Sequence, residues 1–148
     1  MSSNNQSTII SISNLRHELR TPINVIIGYS EMLVEDLEIA NDSTNFSELQ
    51  QIRECGIQLI FLIKTLLNDQ NLELYQSDLE RLLTEQTVQA QIQMPTNSVI
   101  KYCQQILNTA SNQYVVSDIK KINQASQDLL AMTYDMVGIA TKSNTTSY

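Results

Sequence analysis

Four residues near the start of the chain have side chains suited to phosphoryl chemistry on an imidazole: His17, Glu18, Thr21 and Pro22. A neutral histidine nitrogen is a good nucleophile near pH 7, and His17 is the chain's single histidine. The carboxylate of Glu18 can accept the ring proton and orient the ring. The hydroxyl of Thr21, one helical turn further on, can position a water for the reverse hydrolysis.

A long helix must position these side chains. Apolar residues recur at steps of three and four, which predicts a helix over residues 9–40. The predicted seam places His17 on the opposite face, together with Thr21 and Asn24, and Pro22 should bend the helix because it deletes one backbone hydrogen bond. The alternative is that His17 is a surface histidine without a chemical role, on a helix that a proline bends. The predicted seam consists of Ile12, Leu15, Leu19, Pro22, Ile26, Tyr29 and Leu33.

A second helix is predicted over 47–68, after a polar turn at 41–45. Two helices joined by a short loop form an antiparallel hairpin, here spanning 9–68. The Ser/Thr/Asn-rich ends, 1–8 and 142–148, are expected to be frayed tails. Residues 69–89 read as a linker with a short helix.

A weak internal repeat predicts a second hairpin over 90–141. A shift of 73 brings Pro22 onto Pro95, and a shift of 70 aligns the two returning helices. Two such hairpins can bury their seams against each other, so we expect an all-α, four-helix bundle built by one chain as a pseudo-dimer. The second copy carries Ala90, Gln91 and Met94 in place of His17, Glu18 and Thr21.

The composition excludes several classes of protein. Three glycines and two prolines are too few for a β-sandwich or barrel, and no glycines lie close enough to form a phosphate-binding loop. The net charge of −7, with no basic stripe, argues against nucleic-acid binding. No apolar run is long enough for membrane insertion, and no signal peptide is visible, so a cytoplasmic location is expected. One histidine and two distant cysteines predict no metal site.

The string His-Glu-Leu-Arg-Thr-Pro-Ile-Asn at 17–24, continuing to Leu33, closely resembles the H-box of sensor histidine kinases. More specifically, the match of some twenty residues resembles their dimerisation and histidine-phosphotransfer (DHp) domain, a helical hairpin with the histidine on its first helix. The family pattern covers about residues 9–68.

The resemblance implies roles for individual residues. His17 would be the phosphoacceptor, Glu18 its general base, and Thr21 the residue that positions water during dephosphorylation. Pro22 would be the family's helix bend, a structural role. Asn24 and Arg20 match positions that would support the site. The partners implied are a response-regulator receiver domain and a histidine kinase catalytic domain acting in trans.

The chain departs from the family in two respects. The asparagine-rich box and the glycine-rich loops of the ATP-binding domain are absent from these residues. The second hairpin, in addition, lacks the reactive residues of the first. We therefore expect ATP and Mg²⁺ to be held by a separate catalytic domain, with no cofactor or metal bound by this chain. A phosphotransfer module is favoured over a non-catalytic dimerisation or scaffold module. A homodimer, and an excerpt of a larger sensor kinase, remain open alternatives.

Overall fold

A computed structural model describes the backbone of residues 2–66 and 86–145, with side-chain burial for residue 14 and for 16–66 and 89–134. Within these ranges the chain is all-α, and no strand occurs. The four helices, numbered in chain order, are α1 (Ser2–Ala40), α2 (Phe46–Leu66), α3 (Gln86–Thr109) and α4 (Gln113–Thr145).

The helices reach further toward the chain ends than predicted. α1 begins at Ser2 and α4 continues to Thr145, so most of the expected tails, 1–8 and 142–148, are helical. Once a helix is nucleated, each added residue gains a hydrogen bond, which lets even Ser/Thr-rich ends extend a packed helix. Of the predicted linker 69–89, residues 86–89 belong to α3, and the rest lies outside the described residues.

Side-chain and backbone hydrogen bonds fix the two turns at one end of the molecule. Asn41 and Asn45 have φ angles of 53° and 60°, the left-handed region that asparagine tolerates well. The Thr44 N–H donates to Asp42 Oδ1 at 2.9 Å, and this backbone hydrogen bond lowers the pKa of Asp42. The Thr109 hydroxyl at the end of α3 donates to Asn45 Oδ1 at 3.0 Å, which joins the two turns.

The four helices close a ring within one chain. α1 packs against α2 and α4, and α3 packs against the same two helices. This is the four-helix bundle that the sequence predicted, with each hairpin supplying two neighbouring helices. The buried apolar residues form one core cluster drawn from all four helices.

The buried seam of α1 differs from the predicted seam at one step. Leu19, Ile26 and Leu33 are buried as expected, but the seam passes through Ser30, and Tyr29 is only half-buried. The Ser30 hydroxyl donates to the Ile27 carbonyl at 3.0 Å, so the helix itself satisfies this buried polar group. The predicted step at Tyr29 was therefore wrong by one residue.

The two hairpins bury corresponding positions. At a shift of 73, Leu19 and Pro22 of α1 correspond to Ile92 and Pro95 of α3, and all four are buried. At a shift of 70, buried residues of α2 fall on buried residues of α4 in the same way. These α2–α4 pairs are Leu49 with Ile119, Ile52 with Ile122, Gly56 with Ser126, and Leu59 with Leu129.

Candidate phosphoacceptor site

His17 lies on the solvent-exposed side of α1, in the half of the helix far from the turns. Glu18, Thr21 and Asn24 are exposed as well. Because a helix turns about 100° and rises about 1.5 Å per residue, Thr21 and Asn24 lie within about 40° of His17, at heights of about 6 and 10 Å from it. Glu18 is the sequence neighbour on the flank.

Pro22 and Arg20 border this exposed face from the bundle side. Pro22 is buried and Arg20 is half-buried. Pro22 lies inside the continuous helix α1, where its ring removes the N–H that would bond to the Glu18 carbonyl. The backbone next to the histidine is therefore held by one hydrogen bond fewer than an ordinary helix.

A close contact between α1 and α2 sets the height of the site along the bundle. A Cβ atom at Gly56 would lie 2.7 Å from Ile27 Cγ1, so the two helices approach closely at this level. From there α1 runs ten residues back to His17, and α2 runs eight residues forward to Lys64. At 1.5 Å per residue, the histidine and this lysine lie about 15 and 12 Å from the close contact, toward the same end.

A groove between α1 and α4 opens directly beside the exposed face. Its cavity has a volume of about 330 Å³, and Pro22 and Val25 of α1 contribute to its wall together with Ala125 and Met132 of α4. Thr21 also lines the groove, so this residue borders space that another molecule could enter. The lining is mainly apolar, and its remaining residues are Lys121, Gln124 and Asp128.

Lys121 links the two walls of this groove. Its Nζ atom lies 5.1 Å from the centroid of the Tyr29 ring on α1 and 3.9 Å from Asp118 Oδ1 on its own helix. The cation–π contact is consistent with the half-buried position of Tyr29. The sequence analysis missed this groove, which lies where the first helix of one hairpin packs against the second helix of the other.

The comparison with protein families identifies the first hairpin. Residues 11–74 match the model of the His Kinase A (phospho-acceptor) domain, HisKA. The first hairpin is therefore similar to a HisKA domain. The match includes His17 and the whole of α2, and it ends before α3 begins.

One curated relative agrees with this identification. The chain is 33% identical over 57 residues to a protein named Histidine kinase 1 from Arabidopsis thaliana. The aligned part covers 38% of this chain but 5% of the relative, so the chain spans a small fraction of that protein's length. No solved structure matches the chain.

The second hairpin, which lies outside the family match, packs like the first without its reactive residues. Ala90 and Met94 are exposed at the positions that correspond to His17 and Thr21. Gln89 and Gln93 of α3 instead bond to Thr133 of α4: Gln89 Nε2 donates to the Thr133 carbonyl at 3.2 Å, and Gln93 Nε2 contacts the Thr133 hydroxyl at 3.3 Å. This end of the second hairpin is cross-linked by hydrogen bonds.

The described residues show neither a metal centre nor a helix that could span a membrane. Among the described residues, no three His, Cys, Asp or Glu side chains come together as metal ligands. None of the helices, over the same residues, combines the length and hydropathy needed to cross a bilayer. The assignment of ATP and Mg²⁺ to a separate domain stays a prediction.

Proposed function

We propose that this chain is a histidine-phosphotransfer module of two-component signalling. His17 accepts a phosphoryl group and passes it to an aspartate on the receiver domain of a response regulator. The observation that carries the proposal is the exposed set of His17, Glu18 and Thr21 on one helix of a HisKA domain. An inert scaffold would not need these three residue types at this spacing.

The transfer step uses the histidine as a nucleophile. A ring nitrogen of neutral His17 attacks the phosphorus of an acyl phosphate on a receiver aspartate, an N–P bond forms, and the P–O bond to the aspartate breaks. The carboxylate of Glu18 takes up or holds the proton of the other ring nitrogen, and the donor leaves as a carboxylate. The reverse reaction uses the same groups and delivers the phosphoryl group to a second receiver.

Four neighbouring side chains support this step. Arg20 and Lys64 bring positive charge to the end of the bundle that carries His17, which favours binding of a dianionic phosphoryl group. The Thr21 hydroxyl, which lines the groove, orients the water that hydrolyses the phosphorylated receiver. Asn24 shares the exposed face and can hydrogen-bond to the docked partner.

When the donor is a kinase, we propose that a separate catalytic domain holds ATP and Mg²⁺ and acts on His17 in trans. The described residues of this chain offer no metal cluster for that purpose. We place the module in the cytoplasm, where the two thiols, both free in this structure, stay reduced.

The test is a labelling experiment on the full chain. The protein is incubated with a radiolabelled phosphorylated receiver, or with a promiscuous histidine kinase catalytic lobe and labelled ATP, and acid-labile label is measured. We expect label on the wild type, none on His17→Gln, and slower labelling of Glu18→Gln. Gln104→Ala, an exposed change on α3, serves as the matched control and should label normally. Absence of label with every donor would exclude the proposal.

A scaffold function is the second candidate, and the second hairpin is the observation that favours it. Ala90 and Met94 show that a HisKA-like hairpin can lose its chemistry and keep its packing. In that case the first hairpin would bind a regulator or kinase without accepting phosphate. The labelling experiment separates the two functions. A scaffold would bind its partner without taking up label, and His17→Gln would leave that binding unchanged.

We propose that the active unit is a single chain. All four sides of the helical ring are closed within the chain, and the core draws on both hairpins. Light scattering at micromolar concentration should give the mass of one 16.8 kDa chain. A stable dimer mass would instead favour the pairing of two chains.

A further inference from the structure

The groove between α1 and α4 has the dimensions of a small-molecule site. Its volume of about 330 Å³ lies within the range of about 300–1,000 Å³ that is usual for ligand pockets. Pro22 and Val25 form its apolar wall on α1, and Ala125 and Met132 form the wall on α4. These four residues are buried or half-buried, so the packing of the bundle holds the walls in place before a ligand binds.

The apolar surface of the groove does not continue as a strip along the bundle. The large apolar side chains that are exposed in the described residues lie elsewhere, and none of them lines the groove. A protein partner needs an extended surface, about 800 Å² on each side of a stable interface. The groove therefore suits a molecule that fits inside it better than a second protein.

Two charged side chains lie at the groove, and they differ in how far their charges are compensated. The Lys121 Nζ atom lies 3.9 Å from Asp118 Oδ1 and 5.1 Å from the centroid of the Tyr29 ring. Asp128 Oδ1 accepts a hydrogen bond from Gln124 Nε2 at 3.0 Å, and this amide carries no charge. The charge left for a ligand to pair with is therefore the carboxylate, and the chain's net charge of −7 also attracts cations.

Asp128 adjoins the apolar part of the groove. It is three residues from Ala125 and four from Met132, so the three side chains are neighbours on one side of α4. Lys121 is seven residues from Asp128, which is about 10 Å along the helix. A ligand whose apolar body contacts Ala125 and Met132 therefore places its polar group at the carboxylate.

We infer that the α1–α4 groove binds a small organic cation, a protonated amine attached to a compact apolar body. The body lies against Pro22, Val25 and Met132, and the ammonium group pairs with the Asp128 carboxylate. Burial of apolar surface drives the binding, and the charge pair orients the ligand. This ligand site goes beyond phosphotransfer, which requires no amine.

A ligand in the groove would lie beside the reactive face of α1. Thr21 and Pro22 line the groove, and Pro22 is five residues from His17, about 8 Å along the helix. Binding itself needs no chemistry at His17. The inference therefore holds or fails independently of phosphotransfer.

The opposite side of the bundle, between α2 and α3, offers a matched reference. At the shift of 73, Ser98 takes the place of Val25, so a polar residue replaces part of the apolar wall. At the shift of 70, Glu54 takes the place of Gln124, and its carboxylate is one helical turn from the position that corresponds to Asp128. We therefore expect the amine at the α1–α4 groove and not between α2 and α3.

The test titrates the full, isotope-labelled chain with phenethylamine, which is protonated at neutral pH, and follows amide shifts by NMR. Phenylethanol and phenylpropionate carry the same ring with a neutral and an anionic group. We expect one amine per chain, a Kd of about 0.1–1 mM, and shifts centred on Val25, Ala125 and Asp128. The alcohol should bind about threefold more weakly, and the carboxylate more weakly again.

Salt separates the charge pair from the apolar contact. Raising salt from about 0.05 to about 0.5 M should weaken binding of the amine, because salt screens exposed charges. Binding of phenylethanol, which carries no charge, should not weaken.

Variants of exposed residues make the test specific. Asp128→Asn keeps an acceptor for Gln124 and should weaken amine binding by about threefold without changing the affinity for phenylethanol. Asp128→Lys should reverse the preference, so that phenylpropionate binds more tightly than the amine. Glu54→Gln, which removes an exposed carboxylate from the α2–α3 side, is the matched control and should leave the affinity for the amine unchanged.

Each of four results would overturn the inference. These are equal binding of the amine and the carboxylate by the wild type, shifts centred on α2 and α3, unchanged amine binding by both Asp128 variants, and absence of shifts at amine concentrations well above the expected Kd. Concentration-dependent shifts of the groove without a ligand would identify a second copy as its occupant and would also overturn it. The His17→Gln chain should bind the amine normally, which separates this outcome from a failure of phosphotransfer.

Discussion

The two hairpins share their packing and differ in their chemistry. Both bury a proline in the first helix and leucine or isoleucine at matching places in the second, yet only the first carries His17, Glu18 and Thr21. Ala90, Gln91 and Met94 occupy the same exposed places in the second hairpin. Side chains that the two hairpins share are those the bundle needs, and exposed side chains that only one has are candidates for function.

The cores of the two hairpins also differ near the end that carries His17. Ile23 and Ile63 are fully buried in the first hairpin, and their counterparts in the second are Thr96 and Thr133. The Thr96 hydroxyl donates to the Ile92 carbonyl at 2.7 Å, so burial leaves it satisfied. The second hairpin has exchanged apolar contact for hydrogen bonds within and between its own helices.

The strongest test of this comparison transfers the reactive residues of the first hairpin to the second. In a His17→Gln background, Ala90→His, Gln91→Glu and Met94→Thr would rebuild the reactive set on α3. We expect the grafted histidine to accept label at least about tenfold more slowly than His17, since α4 carries Gln127 and Ala131 at the exposed positions where α2 carries Ile57 and Phe61. The measurement is the rate of phosphoryl transfer from a labelled receiver.

Adding the apolar pair should sharpen the result of the graft. The changes Gln127→Ile and Ala131→Phe, introduced into the grafted chain, place two large apolar side chains on α4 at positions that now hold a glutamine and an alanine. We expect the transfer rate to rise. Equal rates at the grafted site and at His17, before this addition, would mean that Ile57 and Phe61 contribute nothing to the transfer.

A smaller effect is expected at Cys103, which occupies the buried position of the second hairpin that corresponds to Ser30 in the first. Burial raises the pKa of Cys103 to about 12 from 9.0. The unfolded chain therefore releases the thiol proton first as pH rises above 9, and the native state loses stability between pH 9 and 12. Cys103→Ser should remove this part of the pH dependence, because a serine hydroxyl does not ionise in this range. The buried hydroxyl can donate to a helix carbonyl as Ser30 does.

Urea unfolding of wild type and Cys103→Ser across pH 8 to 11, about the window set by these pKa values, measures the effect. The stability of the wild type relative to the variant should fall above pH 9. Cys55→Ser is the comparison in the first hairpin: burial and Glu54 raise the pKa of Cys55 too, but this residue is half-buried, so its contribution should be smaller. A constant difference across the range would refute the prediction for Cys103.

The smallest expected effects come from the two glycines near the α1–α2 contact. Gly28→Ala adds a methyl group in open space within a helix and should stabilise the chain by about 0.5–1 kcal/mol. Gly56→Ala places its Cβ 2.7 Å from Ile27 Cγ1, and overpacking of about 1–3 kcal/mol should outweigh the same helical gain. Chemical denaturation of the two variants side by side should therefore give changes of opposite sign.

The corresponding position in the second hairpin supports the expected difference in sign. The counterpart of Gly56 is Ser126, which is buried and donates its hydroxyl to the Ile122 carbonyl at 2.8 Å. The α3–α4 contact thus accommodates a Cβ where the α1–α2 contact does not. If Gly56→Ala were stabilising, the close approach of α1 and α2 would not be a constraint.

Hydrophobic spacing was enough to predict the helices and their pairing. The predicted α2, 47–68, nearly coincides with Phe46–Leu66, and the repeat indicated that one chain closes the bundle. The step at Ser30 could not be predicted, because a buried serine bonded to its own helix carries no hydrophobic signal. Helical ends rich in Ser and Asn were missed because their propensity is weak and packing further along extends them.

The site was predicted in part. The exposure of His17, Glu18 and Thr21 followed from the helical period, and the roles of these residues stay predictions. The groove beside Thr21 could not be derived from α1 alone, because half of its wall belongs to α4. Ile57 and Phe61 lie in an apolar run with Leu59 and Ile63, and composition does not tell which of them the bundle leaves uncovered.

The closed ring of four helices bears on signalling fidelity. When two separate hairpins must meet to complete a core, hairpins from different sensors can pair and mix their outputs. Here α1 finds both of its main neighbours, α2 and α4, within its own chain. If the active unit is the single chain proposed above, the covalent link would prevent subunit exchange with related proteins and would let one hairpin change without altering the other.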